Sequence, residues 1–299
     1  MHTPEQPKNN PMVLVGVFAL IVSSVLGLGL VTQWDNGRKI PGRAIAGPYT
    51  PPSTPTTTEA PRPRAVHRLG DHPLLTTPVK LTTPGCALPE FGASDAELSA
   101  YYTAGVACLD QAWKPALAQA NLPFEPPGLD ASPDLKEGPC GVAPAESEAV
   151  AYYCGRNKTI YMPTSRLRNN GGGERPGMHL ATLAHEYGHH VQALTGMLRA
   201  ADSKISDAGE DSPAGLEMSR RIELQANCFA GMFLSAASGS IGEELAREAA
   251  DDFQYAVEEP AEKNAHGSPQ NQGMWASYGF DSATTTSCNT YTASAEAVG

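Results

Sequence analysis

The chain is 299 residues long, with 41% hydrophobic and 18% charged residues, which supplies a globular core and excludes a wholly disordered polymer. Its net charge of −11 is uneven, because residues 85–299 hold 13 Lys/Arg against 28 Asp/Glu, a net −15. That part lacks the basic face that phosphate recognition needs, so no nucleic-acid partner is expected.

After a short tail, residues 1–11, the run Met12 to Val31 carries 20 residues without a charge, long enough to cross roughly 30 Å of hydrocarbon as a helix. It reads as a single transmembrane helix. A cleaved signal peptide is the main alternative, but the run exceeds a usual signal core and Gln33-Trp34-Asp35 is not a small-residue cleavage site. Arg38, Lys39 and Arg43 follow the span, and by the positive-inside bias alone they place the carboxyl side in the cytosol. Long domains translocate largely regardless of such charges. The linker and the cysteines favour a cell-membrane protein with a cytoplasmic tail and its main domain on the extracytoplasmic side.

Residues 32–84 turn Pro/Thr-rich, as in Pro51-Pro-Ser-Thr-Pro-Thr-Thr-Thr58, a composition that prefers extended geometry and reads as a semi-rigid stalk. All six cysteines lie beyond it, in residues 85–299, which fits three disulfides in an oxidising compartment. Fifteen pairings are open to six cysteines. The preferred one joins Cys86 to Cys108, Cys140 to Cys154 and Cys228 to Cys288. A Cys-type metal cluster is disfavoured because no C-x-x-C pair is present.

Within residues 85–299, Ser94-Asp-Ala-Glu97 has a capping-box pattern, and Leu98, Tyr102, Val106, Leu109, Trp113 and Leu117 continue it as a helical stripe that Pro115 bends near its end. Prolines at 123, 126, 127 and 133 mark an irregular connection. Two short strands, Ala149 to Tyr153 and Thr159 to Met162, flank Gly155 to Lys158 as a hairpin, and the second is a candidate edge against which an extended peptide adds. The loop Asn169 to Glu174 is a candidate border of a cleft. A helix over Met178 to Thr195, stopped by Gly196, comes next, then an acidic loop from Asp202 to Asp211. Helices from Ser212 to Ser235 and from Ile241 to Tyr255 complete a mostly helical α+β body with a small sheet.

His185-Glu186-Tyr187-Gly188-His189 carries the chemistry. Two histidines four apart project from one helix face and close on one zinc ion, with Glu186 beside it. Such a site needs a third protein ligand, and Glu223, in Glu223-Leu-Gln-Ala226 on the following helix, is the candidate. Glu186 is then the general base for a zinc-activated water. His266 is the candidate donor to charge developing on the scissile carbonyl. His190 is expected to pack the helix end, and His67, His72 and His179 have no spacing partner.

The blocks His185-Glu-Tyr-Gly-His-His-Val-Gln192, Glu223-Leu-Gln-Ala-Asn-Cys-Phe-Ala-Gly231, His266-Gly-Ser, Trp275 and Cys288-Asn-Thr resemble the putative neutral zinc metallopeptidases of bacterial envelopes. Cys140-Gly, Tyr152-Tyr-Cys154 and Ile160-Tyr161 look like the hairpin of that family, and the resemblance covers roughly residues 86–291. It implies a zincin-like metallopeptidase domain of the glutamate-ligand type, an amino-terminal anchor, one zinc ion and a peptide or protein substrate, with envelope proteins among possible partners. Where the family usually has an Asp after E-L-Q-A this chain has Asn227, which brings no negative charge to the histidine it faces. An alternative reading is therefore a weak or inactive zincin fold acting as a binding scaffold. The net −15 disfavours strongly acidic substrates.

Overall fold

The computed structural model describes residues 44–46, 68–135, 137–146 and 148–299. The expected membrane span at 12–31 and most of the expected stalk lie outside the described residues. No helix among the described residues is long and apolar enough to cross a membrane.

The first elements are β1 (Ile45–Ala46) and α1 (Pro73–Thr76). Residues 68–84, assigned to the stalk by composition, pack onto the helical body instead. Leu69, Leu74, Leu75 and Val79 are buried, and these four apolar residues outweigh the prolines around them. His72 adds a clip: its Nδ1 accepts from the Leu74 N–H, which leaves the Nε2 proton to donate to the Thr195 carbonyl at 3.2 Å.

α2 (Asp95–Gln119) begins at the capping box read from the sequence, with Ser94 and Glu97 each satisfying the other's backbone N–H. Leu98, Tyr102, Leu109, Trp113 and Leu117 are buried along it, and the helix continues past Pro115 to Gln119. Next come β2 (Gly128–Asp130), β3 (Glu137–Gly138), β4 (Gly141–Val142), β5 (Tyr152–Gly155) and β6 (Thr159–Tyr161). The expected hairpin is β5–β6, in antiparallel register with Tyr153 opposite Ile160, and it starts at Tyr152 rather than Ala149. The main sheet runs β1-β5-β6-β2, with β1 parallel to β5 and β2 parallel to β6. Thr159–Tyr161 is thus an interior strand and not the free edge that the sequence suggested.

The helical body follows as α3 (Thr164–Leu167), α4 (Pro176–Thr195), α5 (Met197–Ala208), α6 (Pro213–Ile241), α7 (Glu243–Asp252) and α8 (Pro269–Ser282). Most of the expected acidic loop at 202–211 is helix: Met197, Leu198, Ala201 and Ile205 form a buried stripe that outweighs the acidic residues between them. α6 runs to Ile241, and Gly242 at φ 95° separates it from α7, which begins at Glu243. That break shortens the helix expected over Ile241 to Tyr255.

Two close approaches set the helix layout. A Cβ on Gly188 of α4 would lie 3.0 Å from both the Cα and the carbonyl oxygen of Ala226 on α6. Between α6 and α8, a Cβ on Gly231 would lie 2.0 Å from the Ala276 oxygen, and one on Gly279 2.0 Å from the Cys228 oxygen. Glycine lets these backbones touch where any side chain forces them apart. All three preferred disulfides are present, Cys86–Cys108, Cys140–Cys154 and Cys228–Cys288, the last tying α6 to the chain after α8 across 60 residues.

Candidate metal centre

α4 is fixed from both ends: Pro176 opens it with a preset φ, and Gly196 at φ 84° closes it. Leu180, Leu183, Ala184, Tyr187, Val191 and Leu194 are buried on its apolar face. The face toward α6 carries His185, 16% exposed at its side chain, and the fully enclosed His189. α6 starts at Ser212, whose hydroxyl accepts from the Gly215 N–H, and it brings Glu223 and Asn227 to the same place, both 2% exposed.

His185 Nε2, His189 Nε2 and Glu223 Oε2 form a triangle with edges of 3.0, 3.1 and 3.2 Å. The outer ring nitrogens say what those atoms are. His185 Nδ1 lies 2.6 Å from Asn227 Oδ1, and His189 Nδ1 lies 2.8 Å from Gln192 Oε1. The Gln192 amide is oriented by its own donors, since Nε2 gives protons to the Ile222 carbonyl and to Gln225 Oε1. An amide oxygen only accepts, so both Nδ1 atoms carry the proton and both Nε2 atoms present lone pairs inward.

Three inward lone-pair atoms repel one another unless a cation lies among them. A tetrahedral zinc ion with bonds of about 2.0–2.1 Å spaces its donors about 3.3 Å apart, close to the triangle observed. Glu223 Oε1 and Glu186 Oε2 are moreover two of the three buried side-chain atoms without a hydrogen-bond partner among the described residues. Two imidazoles and one carboxylate are zinc-type donors. The residues therefore fit zinc. Burial pushes the Glu223 carboxyl up, but positive charge at the His189 corner of the triangle outweighs it and holds it well below the usual range, so the group that faces a cation there is a carboxylate.

Glu186 stands beside the triangle. Burial is the main force on its carboxyl and raises it to about 7, partly offset by positive charge at the His185 corner of the triangle. The cluster opens into a cleft of about 680 Å³ that Asn170, Tyr152, Phe253 and His266 also line. Asn170 belongs to the loop at 169–174, which the sequence placed at a cleft border.

His266 reaches the cleft from the turn before α8, and its Nδ1 lies 3.1 Å from Glu259 Oε1. Glu259 also accepts from the N–H groups of Ala265 and His266. Burial raises the Glu259 carboxyl, but the bond from His266 leads the set that takes it below its ordinary value. Glu259 was missed in the sequence because nothing in its spacing links it to His266. Gln192 was quoted there without a role; its place three residues after His189 was the available signal. Behind it, Gln225 accepts a hydrogen bond from Tyr291 Oη and donates to the Cys288 carbonyl, so a disulfide-held turn supports His189 indirectly.

The other described histidines, His72 among them, are structural, and His67 lies outside the described residues. His190 is enclosed, between Tyr153 Oη at 3.0 Å and the Glu125 carbonyl at 2.7 Å, and burial pushes it down to about 4. His179 bonds Tyr102 Oη and the Gly172 carbonyl.

Residues 82–291 match the model of a family described as putative neutral zinc metallopeptidase. An uncharacterized protein of Mycobacterium bovis is 34% identical over 139 residues, 44% of this chain and 41% of that protein. An uncharacterized protein of Mycobacterium tuberculosis matches to the same extent. The chain thus aligns with about two fifths of the length of these mycobacterial relatives. Uncharacterized protein YpfJ of Escherichia coli is 25% identical over 203 residues, 62% of this chain and 69% of that protein. No solved structure matches.

Proposed function

The chain belongs to this zinc metallopeptidase family, and on that premise we propose that it is a membrane-anchored zinc-dependent peptidase whose ion is held by His185, His189 and Glu223. The observation that carries the reading is the triangle of inward lone pairs, each imidazole fixed in its tautomer by an amide oxygen behind it. Zinc bound there supplies Lewis acidity, bringing the pKa of a water toward about 7 and polarising the scissile carbonyl.

The chain's own residues do the rest. Glu186 is beside the triangle and not part of it, with Oε2 unpartnered, so it is disposed to take the proton of the attacking water and to pass it to the leaving nitrogen. His266, oriented by Glu259, donates to the carbonyl oxygen as negative charge gathers on it.

The same proposal takes residues 1–11 as a cytoplasmic tail, 12–31 as the membrane helix and the domain that follows as extracytoplasmic. The three disulfides support an oxidising compartment. Alkylation of the unreduced protein checks this: six unlabelled cysteines agree, and full labelling contradicts it.

The scaffold reading keeps one observation in its favour, the uncharged Asn227 behind His185. Hydrolysis of a general protein substrate by the purified protein separates the two. Cleavage that falls at least about 100-fold in Glu186→Gln, with zinc content unchanged, supports the enzyme. Equimolar zinc in both proteins with no cleavage by either supports the scaffold.

A further inference from the structure

β5 is the strand that borders the metal cluster, because its Tyr152 lines the same cleft as His185, Glu186, His189 and Glu223. One flank of β5 is taken by β6, leaving the other as the place where an extended peptide adds beside the cluster. That flank is already filled. Ile45 pairs in parallel with Cys154 and Ala46 with Gly155. The residue before them, Ala44, is only 3% exposed and lines the same cleft as His185, Glu186, His189 and Glu223. From the other side, Asp202 of α5 accepts the Ala46 N–H at 2.7 Å.

Three residues from more than 100 positions upstream therefore lie where an incoming peptide has to lie. Ala44 and Ala46 have the smallest chiral side chains, which suits a slot enclosed by α5, β5 and the cluster. We propose that Ala44–Ala46 is the resident occupant of the peptide-binding edge, that it shields the metal cluster in cis, and that any peptide entering the cleft does so by replacing it on β5. A two-residue ladder is short, so replacement needs only a local release and leaves the helical body intact. The effect on rate rests on the peptidase reading above; the occupancy does not.

The test uses the full chain. Ala44→Asp puts a charge into the enclosed slot, and Ala46→Pro independently removes the N–H that Asp202 accepts. Hydrogen exchange at residues 150–156 reads occupancy without needing catalysis. Both variants are expected to exchange faster there, to retain zinc, and to regain protection when a synthetic peptide of residues 40–50 is added; Ala44→Ser is expected to behave as the parent. Hydrolysis of an added peptide is expected to rise about 10-fold in both. Unchanged exchange at 150–156 in both variants overturns the proposal, as does faster exchange when the parent hydrolyses the peptide and neither variant does so faster. Faster exchange reversed by the peptide, with no hydrolysis by any of the proteins, supports the occupancy and counts against the peptidase reading instead.

Discussion

Asn227 Oδ1 sits 2.6 Å from His185 Nδ1, one helical turn beyond Glu223 on α6, so the same face of one helix supplies both an inward carboxylate and the support behind a facing histidine. The amide fixes the tautomer but adds no charge. Asn227→Asp turns that bond into a charge-assisted one and raises the basicity of the imidazole, so zinc is expected to bind about 10-fold tighter. Competition against a calibrated chelator checks this, and an unchanged or weaker affinity contradicts it.

On His189 the equivalent support is Gln192, itself clamped by Ile222 and Gln225. Gln192→Ala leaves the buried Nδ1–H of His189 without an acceptor, a cost of about 1–3 kcal/mol, and lets the ring rotate. Zinc affinity is expected to drop by about 10- to 100-fold, the range for loss of such outer support. The same chelator competition measures it, with circular dichroism showing that the helices persist. Affinity within a factor of two of the parent would sink the assignment.

Gly188 makes a cleaner structural prediction. Its missing Cβ would press on the Ala226 backbone, which has no flexible end to move aside. Gly188→Ala is expected to cost about 1–3 kcal/mol and to push Glu223 away from the histidines. Gly239, exposed near the end of α6 with nothing within 4 Å of its would-be Cβ, is the control, and Gly239→Ala is expected to stabilise by about 0.5–1 kcal/mol. Thermal melts with opposite signs for the two substitutions meet the expectation.

Acid should weaken the fold through its enclosed histidines. Burial lowers His72 and His179 below the ordinary value of 6.5 and takes His190 to about 4. A histidine lowered in the folded state is neutral there while the unfolded chain takes up a proton, so stability is full above 6.5 and falls as the pH drops toward the folded value. For His190 the loss between neutral pH and pH 5 is about 2 kcal/mol. Urea unfolding at pH 7.5 and 5, on chelator-treated protein so that zinc release does not contribute, measures it. Equal midpoints at the two values contradict the account.

Periodicity and caps made much of this fold legible. The stripe on α2, the Ser94–Glu97 box, Gly196 after α4 and the two histidines on one face are local signals, and the structure carries each where the residues indicated. Glu223 was legible through the spacing of a familiar third-ligand helix. What escaped depends on distant approach. No spacing announces that Ala44–Ala46 pairs with β5, that β2 closes β6 from outside, or that Glu259 meets His266. The acidic residues of α5 hid a buried stripe because charge on one helix face says little about the other. The leucines of residues 68–84 were outvoted by proline content.

The central claim is that His185, His189 and Glu223 together hold one zinc ion, and elemental analysis of the purified full chain tests it most directly. The account predicts one zinc per chain, an X-ray absorption edge fitted by nitrogen and oxygen neighbours without sulfur, and loss of the ion in His185→Ala and Glu223→Ala proteins that remain folded. A folded parent protein that takes up no zinc, or variants that keep the ion at full stoichiometry, would contradict it.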